Sequence, residues 1–294
     1  MKKLSENIRR VGLIANADKA STAALVRQAA RLIQKSRRSV VLDETTAALS
    51  GLKVETCADA AALTRQADLL MVFGGDGTML RVARETAGSR TPILGINAGA
   101  LGFLTDVQAH QLPLALKQIW AGETILESRP LIEAGGTASG RRLELRALND
   151  FVITRGAAPR LIELEVSVDA EVLTRYRCDG LIVCSPTGST AYSLSAGGAV
   201  VSPAADVFTL TPICPHTLSN RSVIVSLNSV VRVKILSRRV ETIFSADGQT
   251  PVPLATGDTL SIRRSRDSIR LLHLAGSSFF ETLRRKLNWS GSNV

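Results

Sequence analysis

The chain has 294 residues, 45% of them hydrophobic and 21% charged, so it can build a core and does not belong to the disordered class. Its formal charge of +10 points first to nucleic acid, but the excess sits at the ends: residues 1–38 carry +8 and 263–286 carry +5, while 39–125 sum to −3 and 126–262 to zero. Four cysteines without a CxxC pair exclude a disulfide-stapled secreted domain and fit a reducing cytoplasm, and MKKLSENIRR lacks the apolar stretch of a signal peptide.

From the N-terminus, RRVGLIA reads as a short buried strand, and Leu25, Val26, Ala29, Leu32 and Ile33 recur at helical spacing up to about Arg37. SVVLD follows as a second strand, and a helix is expected around Ala58 to Arg65. DLLMVF, starting at Asp68, is a continuous apolar run, the pattern of a parallel strand buried on both faces. Gly74 to Gly77 interrupts it, and Thr78 to Ala87 is helix-compatible. TPILGI reads as another strand, and Leu112 to Trp120 as a helix with Pro113 near its start. This alternation predicts an α/β domain with an open, mostly parallel sheet over residues 1–125.

Beyond that point short β-branched runs separated by turn residues take over, and a β-rich domain is expected over 126–275. LIELEVSVD alternates apolar and polar residues, and Asp247-Gly248 and Gly257-Asp258 mark turns. Gly180 to Ala205 holds no charge, but Ser, Thr, Gly and Pro make up half of it, which excludes a membrane span. SSFFETLRRKLNW closes the chain as a short helix with Ser277 or Ser278 placed to cap it.

Four segments carry chemistry. Gly74-Gly75-Asp76-Gly77-Thr78 joins a buried strand to a helix, where bare backbone N–H groups and the helix N-terminus can cradle phosphate. It is neither a Walker loop nor a GxGxxG fingerprint. Asp76 in such a loop either accepts a proton from a hydroxyl, meets a metal that bridges phosphates, or merely caps the helix. SPTGSTAYSLSAGG, from Ser185 to Gly198, is hydroxyl-rich and uncharged, which suits recognition of a purine edge or ribose, with the Tyr192 ring available for stacking. Leu148-Asn149-Asp150 heads a strand and, taken alone, reads as a turn or cap. His216 lies in PHTLSNR and reads as structural, and three histidines in all argue against a His-based metal site.

In this order, GGDGTML, LNDFVITRG, DGLIVCSPTGSTAYSLSAGG and PHTLSNR resemble the motif set of bacterial NAD kinases over most of the chain. The resemblance implies an N-terminal α/β domain, a β-rich NAD-binding domain, and a tail over 276–294 that returns to the first domain. It implies that Asp76 accepts the proton of the adenosine ribose 2′-hydroxyl of NAD beside Gly77. It implies contacts to the dinucleotide from Asn149, Asp150, Arg160, Arg177, Asp179, Thr190, Ala191, Tyr192, Ser193, Leu194, Ser195 and Gln249. Arg81, one turn into the helix, is the candidate for the donor phosphates. Asp150 stands where the family commonly has Glu, which shortens its reach by one methylene.

The implied reaction is transfer of the terminal phosphate of ATP, or of polyphosphate, to NAD, giving NADP. Phosphoryl transfer asks mainly for alignment and charge neutralisation, so Mg²⁺ or another divalent cation is expected, held largely by phosphates and water. A cytoplasmic homodimer or homotetramer without membrane or specific nucleic-acid partners is expected. The GGDGT loop alone also admits a diacylglycerol- or sphingosine-type lipid kinase. A nucleic-acid binder lacks support from basic strands interleaved with aromatics. Were the tail to return to the first domain, the two basic ends would form one face that steers anionic nucleotides or keeps the protein soluble.

Overall fold

The computed structural model describes residues 7–18, 20–99, 102–217, 220–238, 240–249 and 251–289. The chain forms two compact units, one holding residues up to Arg129 together with those from Ser268 onward, the other Pro130–Asp267. Both crossings fall inside long strands rather than in loops.

The first unit is built in the order β1 (Arg10–Ala15), α1 (Ala20–Lys35), β2 (Ser39–Asp43), α2 (Glu44–Ser50), β3 (Glu55–Cys57), α3 (Ala60–Thr64), β4 (Leu69–Gly74), α4 (Asp76–Glu85), β5 (Ile93–Asn97), β6 (Val107–Gln108) and α5 (Leu112–Ala121). The strands run parallel in the order β5-β4-β1-β2-β3, with β6 beside β5. Every residue of β4 is buried, as expected of a strand covered on both faces. Leu13, Phe73, Ile96, Val26 and Leu116 join sheet and helices in one core.

Local chemistry sets the helix ends. Asp43 caps α2 by accepting from the Thr46 N–H at 3.1 Å, and Asp59 caps α3 through the Ala62 N–H at 2.7 Å. Pro113 occupies the first turn of α5, where a missing N–H costs nothing. The sequence reading passed over α2, although Asp43 ahead of it and Gly51 behind it, in the left-handed region at φ 68°, are helix punctuation. It also began the helix after the glycine loop two residues late, at Thr78 rather than Asp76.

The second unit takes up the chain in β7 (Thr124–Ala138) and continues through β8 (Arg141–Ala147), β9 (Asp150–Arg155), β10 (Ile162–Val168), β11 (Glu171–Cys178), β12 (Gly180–Cys184), α6 (Tyr192–Ser195), β13 (Val207–Ile213), β14 (Val223–Ser226), β15 (Val231–Ile235), β16 (Thr242–Ala246) and β17 (Val252–Leu254). Then β18 (Thr259–Leu274) leads to α7 (Phe279–Leu287). One antiparallel sheet has the order β14-β13-β12-β9-β16-β17. The other pairs β11, β10, β15 and the first part of β18, also antiparallel. Along β10, Ile162, Leu164 and Val166 point inward, and the expected one-sided alternation is what lets the two sheets share a core. Phe151 stacks on Phe244 at 5.3 Å in that core. The Asp247-Gly248 turn joins β16 to β17, with both residues at positive φ.

The uncharged stretch after Gly180 folds as β12, a 3₁₀ turn at Thr187–Thr190 and the single turn α6. No helix among the described residues is long and apolar enough to cross a membrane. In β18, Leu271 pairs with Ile93 in parallel, so the end of the last strand, from Ser268, and α7 belong to the first unit. Ser278 occupies the N-cap position of α7, but its side chain makes no capping bond.

Candidate active site

In the first unit the site begins where β4 ends. Gly75 is the N-cap of α4 and Asp76 its first residue, so Asp76 does not cap its own helix. Its carboxylate instead accepts two backbone N–H groups from a loop in the next crossover, Phe103 on Oδ2 at 2.9 Å and Leu104 on Oδ1 at 3.0 Å. Gly102 makes this approach possible, because a Cβ there would stand 2.0 Å from Asp76 Oδ1. Gly77 is exposed, and a Cβ on it would meet nothing within 4 Å, so the protein itself does not require a glycine there. Arg81 points along α4 and pairs with Glu85 at 3.1 Å.

In the second unit the LND segment, the hydroxyl loop and the Asp247 turn converge. The Asp247 carboxylate accepts the backbone N–H groups of Leu148, Asn149 and Asp150 at 3.1, 2.8 and 3.2 Å, and its own N–H donates to the Asp150 carbonyl. Gln249 lies in the same turn, its N–H donating to the Ala246 carbonyl at 2.9 Å. Ser185 ties the hydroxyl loop to this corner, with its N–H on the Asn149 carbonyl and its hydroxyl on the Leu148 carbonyl. Asp150 is 4% exposed; burial, and then the neighbouring Asp247 charge, push its carboxyl up to about 7.

The hydroxyl loop divides by direction. Ser185, Ser189 and Ser193 are fully buried; Ser189 bonds the Pro186 carbonyl, and Ser193 joins a chain through Thr211 to Ser222 with 2.9 Å steps. Thr190, Ala191 and Leu194 are half-buried and Tyr192 and Ser195 exposed, which leaves these five at the surface of the segment.

A third group lies at the other end of the β9–β12 pair, where Thr154 faces Gly180, whereas Asp150 faces Cys184. There Arg155 Nε donates to Asp179 Oδ1 at 2.7 Å, and Arg177 pairs with Glu163 at 3.2 Å. Arg160 is exposed in the loop after β9. The site residues of this unit thus form two clusters, separated by five residues of strand or roughly 17 Å.

Two family models match the chain in order: the ATP-NAD kinase N-terminal domain over residues 11–124 and the ATP-NAD kinase C-terminal domain over 148–274. The chain belongs to the NAD kinase family. It is 39% identical over 286 residues to an NAD kinase of Syntrophotalea carbinolica, covering 96% of this chain and 99% of that one. It is 42% identical over 254 residues to an NAD kinase of Nitrosomonas eutropha, covering 86% and 85%. Among solved structures it resembles yeast NADH kinase complexed with NADH, at 26% identity and a TM-score of 0.87, covering 98% of this chain and 89% of that one. An Archaeoglobus fulgidus NAD kinase in complex with ATP aligns at 26% identity and a TM-score of 0.76, covering 96% and 100%. Family membership makes the protein an enzyme, a phosphotransferase of the NAD kinase type.

Several residues that organise these NAD kinase motifs escaped the sequence reading. Asp247 reads as a turn residue only, and Arg155, although it lies inside LNDFVITRG, carries no sequence sign of its partner Asp179. His273 is the histidine with the densest surroundings: Nδ1 bonds Asp106, Nε2 stands 2.9 Å from Glu127, and Glu127 pairs with Arg129 at 2.8 Å. Burial opposes the His273 charge, but the two carboxylates outweigh it and lift the imidazole to about 9. Burial likewise opposes the Glu127 charge, and His273 and Arg129 hold it down at about 2. His216 is exposed and its backbone N–H donates to the Arg177 carbonyl; Leu218 and Ser219 of the same motif, like Met1 to Glu6 of the basic N-terminus, lie outside the described residues. In the basic ends, Arg10 pairs with Glu55 and Arg38 covers the Trp120 ring at 3.8 Å. Arg263 and Arg264 belong to the second unit and Arg284 to Lys286 to the first, so the basic C-terminal segment is divided between the two.

Proposed function

We propose that the protein transfers the terminal phosphate of ATP to the 2′-hydroxyl of the adenosine ribose of NAD, producing NADP and ADP, with Asp76 as proton acceptor. A bond forms between the ribose oxygen and the γ-phosphorus as the bond from that phosphorus to the β–γ bridging oxygen breaks. The hydroxyl proton passes to Asp76 and then to solvent. The observation that carries this reading is the Asp76 carboxylate: it opens the helix after the glycine loop, half-buried, and two backbone amides hold it. A carboxylate fixed in place needs only to be aligned with the hydroxyl, since the transition state of phosphoryl transfer is loose. The ATP complex of the archaeal relative supports ATP as donor, and the NADH complex of the yeast relative supports a dinucleotide acceptor.

Gly77, with open space where a side chain would be, suits close approach of the nucleotide. Asn149, Asp150, Gln249 and the outward residues Thr190, Ala191, Tyr192, Leu194 and Ser195 are assigned to the dinucleotide, as are Ser193 through its backbone and Arg160, Arg177 and Asp179. Arg81 is assigned to the donor phosphates, for which it must leave Glu85. The divalent cation enters as part of the substrate, as MgATP, held largely by the phosphates and water. We assign the protein to the cytoplasm, consistent with four free cysteines, and expect a homodimer or homotetramer, to be read from light scattering on the eluted protein.

Purified protein with NAD, ATP and Mg²⁺, coupled to an NADP-specific dehydrogenase, tests the reaction, and a polyphosphate arm tests the donor range. Asp76→Asn is expected to keep its melting curve and NAD affinity while kcat falls by at least about 10²-fold. Wild-type turnover in that variant would remove Asp76 from its role, and activity on diacylglycerol micelles but not on NAD would overturn the whole reading.

A further inference from the structure

The amides that hold Asp76 belong to Phe103 and Leu104, and the side chain of Phe103 leads away from the loop to α7. Its ring packs against Phe279 with centroids 6.5 Å apart and an interplanar angle of 41°, and the Lys286 ammonium stands 4.8 Å from its centre. Phe279 opens α7 and Lys286 lies in its last turn, so the two grip the ring from both ends of one helix. Around this contact the packing is open: a cavity of about 320 Å³ is lined by Phe103, Ile125, Leu126, Phe279 and Thr282. Phe103 is only half-buried, so α7 supplies a large part of what fixes it. α7 itself buries a single residue, Leu283, while Phe280 is 61% exposed. A helix this lightly embedded adds little to the core, but it is seated on the one loop whose backbone sets the Asp76 carboxylate.

We propose that α7, through Phe279 and Lys286, is a positioning element for Asp76, acting by way of the Phe103 ring and the two loop amides. The proposal rests on Asp76 being the proton acceptor. The chain of contacts is covalent from the Phe103 ring to its own N–H, so a shift of the ring moves the donor on Asp76 Oδ2 directly. The Leu104 N–H, on the next residue, carries the same movement to Oδ1. Displacements of about 1 Å at a reacting group can cost up to about 10²-fold in rate, although nothing in substrate binding changes. Phe279 and Lys286 are therefore positioning residues: their loss lowers turnover and leaves substrate affinity in place.

The test is a double-mutant cycle read as kcat against KM. Phe279→Ala is expected to lower kcat about tenfold while KM for NAD and for ATP changes less than about twofold, and Phe279→Tyr to recover turnover to within about threefold. Lys286→Met, a change on an exposed side chain, is expected to keep the melting curve and to lower kcat in the same direction by about twofold to threefold. In an Asp76→Asn background, Phe279→Ala is expected to cost less than about twofold, since no carboxylate remains to be aligned. An equal cost in both backgrounds, or a loss confined to KM, overturns the proposal. If Asp76→Asn alone turns over like the wild type, the proton-acceptor assignment fails first and the proposal with it. Should Phe279→Ala fail to fold by thermal melting, the Lys286→Met cycle against Asp76→Asn decides on the same criteria.

Discussion

Both units use one device, a carboxylate that collects backbone N–H groups, and they use it to opposite ends. In the first unit Asp76 takes two amides from a loop 27 and 28 residues away and stays half-exposed, so the held group is the one proposed to meet substrate. In the second unit Asp247 takes three amides from Leu148 to Asp150, and the residue placed by that arrangement, Asp150, is almost wholly buried. The first arrangement aims a charge. The second fixes a backbone corner and leaves a carboxyl that burial and the Asp247 charge push up to about 7. An acidic residue in a motif is thus not yet a role; what its oxygens face decides that.

If the first arrangement aims a charge, the largest effect should come from disturbing the aim. Gly102→Ala puts a methyl group 2.0 Å from Asp76 Oδ1, so the carboxylate must move. We expect kcat to fall by about 10²-fold with KM nearly unchanged, measured in the coupled assay. Unaltered kcat would show that the placement of Asp76 is tolerant and would erase the contrast.

If the second arrangement fixes a corner, Asp247→Ala should cost stability before it costs chemistry. Three N–H groups lose their acceptor, which corresponds to a loss of about 2–4 kcal/mol in urea unfolding, together with a raised KM for NAD. A variant that melts like the wild type while losing kcat would make Asp247 resemble Asp76 after all.

The proton on Asp150 sharpens the contrast further. An aspartate in the unfolded chain titrates near 3.9, whereas burial and Asp247 push Asp150 up to about 7 in the folded protein. The folded state therefore binds the proton more tightly, and this group opposes folding increasingly as pH rises from about 4 through 7. Asp150→Asn is expected to be nearly neutral at pH 4 and to stabilise the protein at pH 8, by at most on the order of 4 kcal/mol. Melting temperatures across that range check it, and a difference independent of pH would mean that Asp150 titrates normally. The His273 cluster acts the other way about. Its imidazole contribution is fully present below about 6.5 and is lost as pH rises through 9, while the Glu127 contribution is lost as pH falls from about 4.5 through 2.

The smallest expected effect lies at the far end of β9. Arg155 and Asp179 are each about one-third exposed, so water screens their pair. Arg155→Ala should cost no more than about 1 kcal/mol of stability, with a severalfold rise in KM for NAD as the only clear kinetic sign if Asp179 contacts the dinucleotide. A loss comparable to that of Gly102→Ala would place the reacting centre at this end instead.

Much of the fold could be read from local patterns. The run from Leu69 to Phe73 is buried throughout, the alternation in β10 is one-sided, and both expected turns after β16 and before β18 carry positive-φ residues. Of the site, the sequence showed where the glycine loop, the hydroxyl loop and the Asn149-Asp150 pair lie along the chain. It did not show that Ser185, Ser189 and Ser193 turn inward while Tyr192 and Ser195 face out, because a serine looks alike in both settings until its partners are known. The partners of Arg155, Asp247 and Phe103 stayed invisible for the same reason: each acts on a residue many positions away.

Taken by itself, the sequence determined the two textures of the chain, its family and the position of each motif, since periodicity, turn chemistry and caps act within a few residues. The tertiary structure alone decided that Asp76 is held by the Phe103 and Leu104 amides, that Asp247 knits the corner 97 to 99 residues upstream, and that burial and the Asp247 charge push the Asp150 carboxyl up to about 7. Those outcomes depend on desolvation and on donors brought together from distant segments, and neither exists until the chain has folded.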